Sequence, residues 1–490
     1  MKTYQDLEKL NGDQKELKTF IQSVVSDHRG SDYYRTASDA EQYYAKRNVT
    51  ILKYQKYIYN NLGQQVPDVW GSNYKLTHGY FRQFVIQQTQ YVLAHGVSFE
   101  DDATKERLGK NFDNQLSALA KKAMVDGVSF GFWNYDHLEV FGFADTPKEP
   151  GFAPLYDEDT GLLRAGVRYW KPSRETKRWT LYEQDGYTDY IKREGEDVEI
   201  LHEKQPYIQT IKATPTTGVE GVEGRNYPGF PIIPLYANDL KESELVGIRP
   251  SIDCYDFIMS GMANSIDETS AFYWTLEGTG AMDDEDLVAF VNRMKQLHAV
   301  VLGRGQEAEA HTLSVPVDAN KMLLDYLKDD MYENFGLMNP SKALSGNLTA
   351  TAIRLAYQPQ DDKCSDFEYC LRDFVYKLLE LLGIEDEPTF RWNRIANQQE
   401  ETSMVMSVAN HLDEETLLNH IPWLTPEEVQ HVLEEDQTTE LRRLVAQEVA
   451  AAEEDKEAEE TEETGEASNE DETENEAEEV TEDGEEESGR

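Results

Sequence analysis

The stretch NPSKALSGNLTATAIRL, residues 339–355, is small and polar and holds one Pro and one Gly. The segments on both sides have apolar residues every three or four positions, the spacing of a buried helical stripe. Before it, ANKMLLDYLKDDMYENF (319–335) places Met322, Leu323, Tyr326, Met331 and Phe335 on one apolar side. After it, helix resumes near Thr349, is bent or broken at Pro359, and continues through SDFEYCLRDFVYKLLELLG (365–383). Phe367, Leu371, Phe374, Leu378 and Leu382 form its stripe, and Gly383 ends it. Two helices can be joined by about two to five residues. A loop longer than its connection requires usually has a function.

Upstream, Ile252, Tyr255, Met259, Met262, Ala263 and Ile266 mark another long helix. GTGAMDDED (278–286) interrupts, a short helix follows near 285–297, and HAVVLG (298–303) reads as a strand. Residues 128–238 hold alternating aromatic runs, the mark of half-buried strands: VSFGFWNYD, LEVFGFA, GVRYWK, RWTLYEQDGYTDYIK and EILH. Asp185-Gly186 between two such runs predicts a hairpin. TTGVEGVEGRNYPGFPIIPLYAND (216–239) reads as a Gly-rich loop entering a Pro-bearing strand. Ahead of this block come charged helices to about residue 60, including the Tyr-rich DYYRTASDAEQYY (32–44). A helix over 74–93 carries Phe81, Phe84, Val85, Gln88, Val92 and Leu93 and stops at Gly96; another runs over 113–125 to Asp126-Gly127. Residues 400–450 are helical again, with Thr425-Pro426-Glu427-Glu428 as a helix start. The fold class is α+β, predominantly helical.

Of the net charge of −47, residues 451–490 hold about −19, from 21 acidic and two basic residues. Such a segment cannot bury enough apolar surface to offset chain entropy, so a disordered acidic tail is expected. The first 450 residues keep 45 basic and 73 acidic side chains, a net of −28, with enough Tyr, Phe and Trp to fold. Cys254, Cys364 and Cys370 show no pairing pattern, which implies buried thiols in a reducing compartment. Neither a signal-peptide core nor an apolar run of about 18 residues occurs, so no membrane span is expected and the sequons at Asn48 and Asn347 carry no sugar. A pI near 4.5 argues against gripping nucleic acid by its phosphates, but not against letting DNA slide past.

No catalytic constellation appears: no P-loop, HExxH, GxSxG or Cys/His metal spacing. Asp283, Asp284, Glu285 and Asp286 have the charge for a hard cation but lack the alternation of a Ca²⁺ loop, and as an acidic helix start they are ordinary. Gly278-Thr279-Gly280 and Gly303-Arg304-Gly305 read as turns, and His311, His411 and His420 as surface or packing residues. Catalytic residues, metal and cofactor are all expected to be absent.

In their order, these features resemble the portal proteins of long-tailed double-stranded DNA phages, the siphophage type of the phage portal family. LTHGYFRQFVIQQTQYVLAHGVSF and MVDGVSFGFWNYD carry part of the likeness. Its strongest part is residues 231–278, with Asn238, Ser251, Ile252, Asp253, Tyr255, Ser260, Ala263 and Asp267. SGNLTATAIRL matches the family's small-residue loop, and HLDEETLLNHIPWLTPEEVQHVLEED its C-terminal helices. The likeness covers roughly residues 70–436.

The resemblance implies a wing (1–244), two stem helices (245–272 and 319–335) around a clip (273–318), and a tunnel loop (336–350). A kinked wing helix (351–384), a crown (385–450) and the tail (451–490) complete it. It further implies about twelve copies in a ring with a central channel for double-stranded DNA. Implied partners are the terminase large subunit, head-completion or adaptor proteins, and the major capsid and scaffolding proteins. The implied location is the capsid portal vertex of the virion, and the host cytoplasm during assembly. Asn339, Ser341, Lys342, Ser345, Asn347 and Thr349 become the DNA-proximal set, with Lys342 its one cation. Asp325, Asp329, Asp330 and Glu333 would keep the remaining bore repulsive to phosphate. Two other readings stand beside it: an acidic cytosolic metal-dependent hydrolase using the Asp283 cluster, and a non-catalytic scaffold or adaptor whose tail is its interaction arm.

Overall fold

The computed structural model describes residues 2–10, 12–59, 63–69, 71–214, 218–269, 273–277, 307–311, 317–341 and 350–393, with short stretches between 407 and 433. Two compact units divide the chain, Met1–Ile395 and Ala396–Arg490.

The first unit opens with α1 (Tyr4–Glu8), α2 (Gln14–Gly30), α3 (Asp32–Tyr44) and α4 (Val49–Lys53). The Asp13 carboxylate caps α2, accepting from the Lys15 and Glu16 N–H groups at 2.8 and 3.3 Å. Ser31 closes α2 and opens α3: its hydroxyl donates to the His28 carbonyl and accepts the Tyr34 N–H. A small antiparallel pair follows, β1 (Tyr57–Tyr59) with β2 (Gln65–Pro67). Next come α5 (Tyr80–Leu93), β3 (Val97–Ser98), α6 (Asp102–Leu108) and α7 (Phe112–Asp126).

The strands follow in a run: β4 (Val128–Asn134), β5 (His137–Gly142), β6 (Gly151–Tyr156), β7 (Leu163–Trp170), β8 (Thr176–Glu183), β9 (Gly186–Arg193) and β10 (Glu199–Gln205). Then come β11 (Ile208–Thr214), β12 (Gly218–Arg225) and β13 (Ile232–Tyr236). Eight of them form one sheet in the order β10-β9-β8-β7-β6-β5-β4-β13, antiparallel except at β5–β6. β11 and β12 pair separately.

The chain continues through α8 (Arg249–Thr269), β14 (Tyr273–Glu277), β15 (Glu307–His311), α9 (Val317–Phe335), α10 (Ala350–Leu382) and β16 (Thr389–Phe390). In the second unit α11 (Glu414–Asn419) starts at Asp413, whose carboxylate accepts the Thr416 N–H at 3.0 Å. The chain is therefore mixed helix and sheet, an α+β fold.

The largest core cluster joins α5, α7, α8, α9 and α10 to the sheet through Phe84, Leu116, Leu119, Phe335, Phe367 and Phe374, all nearly inaccessible to solvent. Each such side chain contributes about 1.5–3 kcal/mol relative to an exposed one. Phe374 lies directly on Gly131 of β4, where any Cβ would collide with its ring. The opposite face of the sheet buries Phe130, Phe132, Phe141, Phe152 and Tyr182. α2 covers β6–β9 with Leu17, Phe20, Ile21 and Val24.

Several expectations change. The hairpin forms, but its two loop residues are Gln184 and Asp185, because Glu183 pairs with Gly186. Gly186 takes φ 141°, and a side chain there would strike the Gln205 carbonyl. The Gly-rich segment is strand β12, paired with β11, and its glycines leave no alternation to read. α10 is not broken at Pro359: one helix runs from Ala350 to Leu382 with the proline inside it. Proline lacks the N–H that would bond the Leu355 carbonyl, and Leu355 is exposed to water. Cys364 is buried, its thiol pushed up to about 12 by desolvation, whereas Cys254 faces outward on α8. Asn48 is fully buried and donates to Asp256, so its sequon is inaccessible. No described helix is long and apolar enough to cross a membrane. The expected helix near 285–297, the HAVVLG strand, the Asp283–Asp286 run, the Thr425 helix start and the acidic tail lie outside the described residues.

Candidate functional site

Helices α8 and α9 lie against each other. Near the start of α8, the Ser251 hydroxyl donates to Asp330, near the end of α9, at 2.7 Å, so the two run antiparallel. The strand that follows α8 pairs with the strand that precedes α9, from Tyr273 opposite His311 to Glu277 opposite Glu307. Two long helices therefore carry a two-stranded ribbon between them in the chain.

α8 reads as apolar in sequence, yet it has a polar stripe at Asp256, Ser260 and Asn264, one residue per helical turn. An extended segment, residues 72–78, runs along that stripe. The His78 N–H donates to Asp256 at 3.0 Å, the Leu76 N–H to Ser260 Oγ at 2.9 Å and the Tyr74 N–H to Asn264 Oδ1 at 2.7 Å. The Ser72 hydroxyl continues the series to Asp267. Two extended residues advance about 6.6 Å and one helical turn about 5.4 Å, so alternate N–H groups meet successive turns. This explains why α5 starts at Tyr80 and not at residue 74: the preceding N–H groups are taken by α8. Below the stripe, the Tyr43 hydroxyl donates to Asp253, and Arg249 pairs with Asp39 at 2.9 Å.

α9 divides along its length. Its C-terminal half buries Met331, Tyr332 and Phe335; Phe84 lies 4.8 Å from the Tyr332 ring, and Gln83 donates to the Tyr332 hydroxyl at 2.8 Å. Its N-terminal half exposes Val317, Met322, Leu323 and Tyr326, and α8 exposes Phe257 and Ile266. The expected apolar side of α9 is thus only partly covered by its own chain: Met331 and Phe335 are buried, but Met322, Leu323 and Tyr326 are not, and Leu324, outside that set, is buried. Asp325, Asp330 and Glu333 are exposed and Asp329 half-buried.

The helix ends at Gly336, with φ 75°. Leu337, Met338 and Asn339 then turn inward and are buried. The Met338 N–H donates to Gln360 of α10 at 3.1 Å. Asn339 donates through Nδ2 to Asp329 at 2.8 Å and accepts the Ser341 N–H at 3.0 Å. Of the six residues singled out in the opening stretch, Asn339 is therefore the buried foot of the segment and Ser341 is exposed. Lys342, Ser345, Asn347 and Thr349 lie outside the described residues. Sequence reasoning missed both the α8 stripe and the Asn339–Asp329 anchor. Polar residues four apart within an apolar helix were the signal for the first; the second left none.

The family model for "Phage portal protein, SPP1 Gp6-like" matches residues 23–441, including the helix pair, the anchor and the opening stretch. The chain belongs to the phage portal protein family. It is 21% identical over 413 residues to the portal protein of Clostridium phage phiCD119, covering 79% of this chain and 88% of that one. To the portal protein of Bacillus phage SPP1 it is 22% identical over 371 residues, covering 72% and 70%. Among solved structures it is similar to a chain from the neck of an empty GTA particle, at 11% identity and a TM-score of 0.42, over 70% of this chain and 90% of that one. Portal membership lends no support to the hydrolase or adaptor readings. Among the described residues no group of three or more His, Cys, Asp or Glu side chains has metal-binding geometry.

Proposed function

We propose that this portal protein works as a ring of about twelve copies at one capsid vertex, through which double-stranded DNA passes during packaging and ejection. The observation that carries this reading is the α8–α9 pair. It is fixed at one end by Ser251–Asp330 and by the α8 stripe, and it leaves Phe257, Met322, Leu323 and Tyr326 uncovered. Helices with such faces are satisfied by lying beside those of further copies. In this arrangement the pair is the stem, β14–β15 begin and end the clip (273–318), and residues 336–350 form the tunnel loop. The clip faces the terminase large subunit and later the head-completion or adaptor proteins. The sheet and N-terminal helices form the wing, toward capsid and scaffolding proteins, and residues 385–450 the crown.

Physical chemistry supports a slippery bore. Affinity for a duplex rises steeply with each phosphate neutralised, so a basic lining would stall the DNA. Asp325, Asp330 and Glu333 on the exposed side of α9 work against that. Asn339 holds the foot of the loop, and Ser341, Lys342, Ser345, Asn347 and Thr349 reach toward the DNA, with one Lys342 per copy as a sparse ring of cations. Chemistry that consumes ATP belongs to a separate motor, and no cofactor is required.

A packaging assay with residues 340–348 deleted tests the loop's role. We expect assemblies of normal size that package or retain DNA poorly. Loss of the assembly itself would make the loop a packing element and overturn this assignment.

A further inference from the structure

The body of the chain has 73 acidic residues against 45 basic, but the turn between β7 and β8 reverses the balance. KPSRETKR, residues 171–178, carries Lys171, Arg174, Lys177 and Arg178 against the single acid Glu175. Lys171, Arg174 and Lys177 are exposed and Arg178 half-buried. Among the described residues none of the four forms an ion pair, although the flanking Arg168 and Arg193 both do. Strand pairing also sets Lys177 opposite Lys192. Like charges directly opposite on a sheet destabilise it, so an anion arriving here relieves a repulsion as well as forming contacts.

Two clefts flank the hairpin. One, of about 280 Å³, lies between it and the last turns of α2, with Trp170, Trp179, Lys171 and Lys177 among its walls. The other, of about 460 Å³, opens across Trp170 and Lys171 toward Pro147 and Pro150. Arg29 also lines the first cleft, but its charge is engaged by Asp145 at 3.1 and 2.5 Å. Among the described residues, the positive charge left without an ion pair at the two clefts is therefore that of the hairpin, with Lys148 beside it at the second cleft.

We propose that the β7–β8 hairpin and its two clefts bind a carboxylate-rich, extended polypeptide segment of a partner protein. Such a segment can place acids on the hairpin cations and set apolar side chains against the half-buried Trp170, a pairing suited to an aromatic wall. A duplex fits the surface less well. It presents about one charge per 1.7 Å along a broad cylinder, which could not enter either cleft. The inference is independent of the conduit reading, since it concerns another surface and a protein ligand.

The test uses the full chain and a labelled synthetic peptide alternating Glu with Leu and Phe. Its Gln counterpart and a short DNA duplex serve as comparison probes. The Glu peptide should bind, release with added salt, and bind about tenfold or more weakly to Lys171→Gln/Arg174→Gln/Lys177→Gln/Arg178→Gln, with unchanged melting and assembly size. If that variant does not fold, Arg174→Glu at the exposed tip is measured instead and should also weaken binding. No binding of the Glu peptide, equal binding by the variant, or equal binding of the Gln peptide overturns the proposal. Tighter binding of the duplex, lost with the same four substitutions, would reassign the surface to nucleic acid.

Discussion

His78 and Asp256, 178 positions apart in the chain, meet through two contacts with one oxygen. The His78 backbone N–H donates to Asp256 Oδ1 at 3.0 Å, and its ring Nδ1 lies 2.7 Å from the same atom. The other Asp256 oxygen accepts from Asn48, and the carboxylate is wholly shielded from solvent. One aspartate thus joins α8 to the loop before α4 and to the segment before α5. The helix assigned to the stem is held to the N-terminal helices by hydrogen bonds as well as by packing.

Replacing Asp256 with Ala removes the acceptor shared by the buried Asn48 amide and the half-buried His78 N–H, and the partner of the His78 ring. Each hydrogen bond to a charged group is worth about 1.5–3 kcal/mol, so Asp256→Ala should destabilise the chain by roughly 3 kcal/mol or more. Ser260→Ala, which removes one neutral acceptor, should cost about 1 kcal/mol. Urea unfolding checks both. An Asp256→Ala midpoint equal to the parent's would show that the stripe carries no stability.

The apolar face left uncovered on α9 gives a different outcome on mutation. Leu323→Glu with Tyr326→Glu places charge where two exposed apolar side chains stand on α9. Stability of the isolated chain should change by about 0.5 kcal/mol or less, while light scattering should show the assembly shifted to smaller species. An unchanged assembly would remove this face from the subunit contact.

His28 supplies the pH prediction. It is buried under Tyr34, Phe143 and Tyr169, with Nε2 2.9 Å from the Phe143 carbonyl, and burial holds its pKa down at about 4 against the usual 6.5. A base whose folded pKa is lowered gives stability that is present above 6.5 and is lost as the pH falls toward 4, because only the unfolded chain takes up the proton. The whole loss is about 3 kcal/mol at 1.36 kcal/mol per pH unit. His28→Gln keeps a donor without the titration, so its stability should fall less steeply than the parent's across that window. Parallel slopes in urea unfolding at several pH values would contradict this.

Much of the fold was legible where local chemistry decides it. α7 ends where Asp126-Gly127 predicts, and α10 carries the stripe of Phe367, Leu371, Phe374 and Leu378. Gly186 marks the β8–β9 hairpin to within one residue. The misses arise where a distant partner decides. The helix expected over 74–93 starts only at Tyr80, because the N–H groups of Tyr74, Leu76 and His78 belong to α8. Met322 and Leu323 are as apolar as Leu324, and only the neighbouring helices determine which of them is covered. Of the candidate site only Asn339 and Ser341 fall among the described residues, and their contacts were not legible. The helix that resumes in the opening stretch begins at Ala350, close to the expected Thr349, whereas the burial of Asn339 depends on Asp329, ten residues earlier on α9.

Negative-stain imaging with native mass measurement of the purified full chain tests the conduit most directly. The expected result is a closed ring of about twelve copies around an open channel, with a label at position 342 on the channel side. A chain that stays monomeric at every concentration tried, or a ring with position 342 on its outer rim, would contradict it.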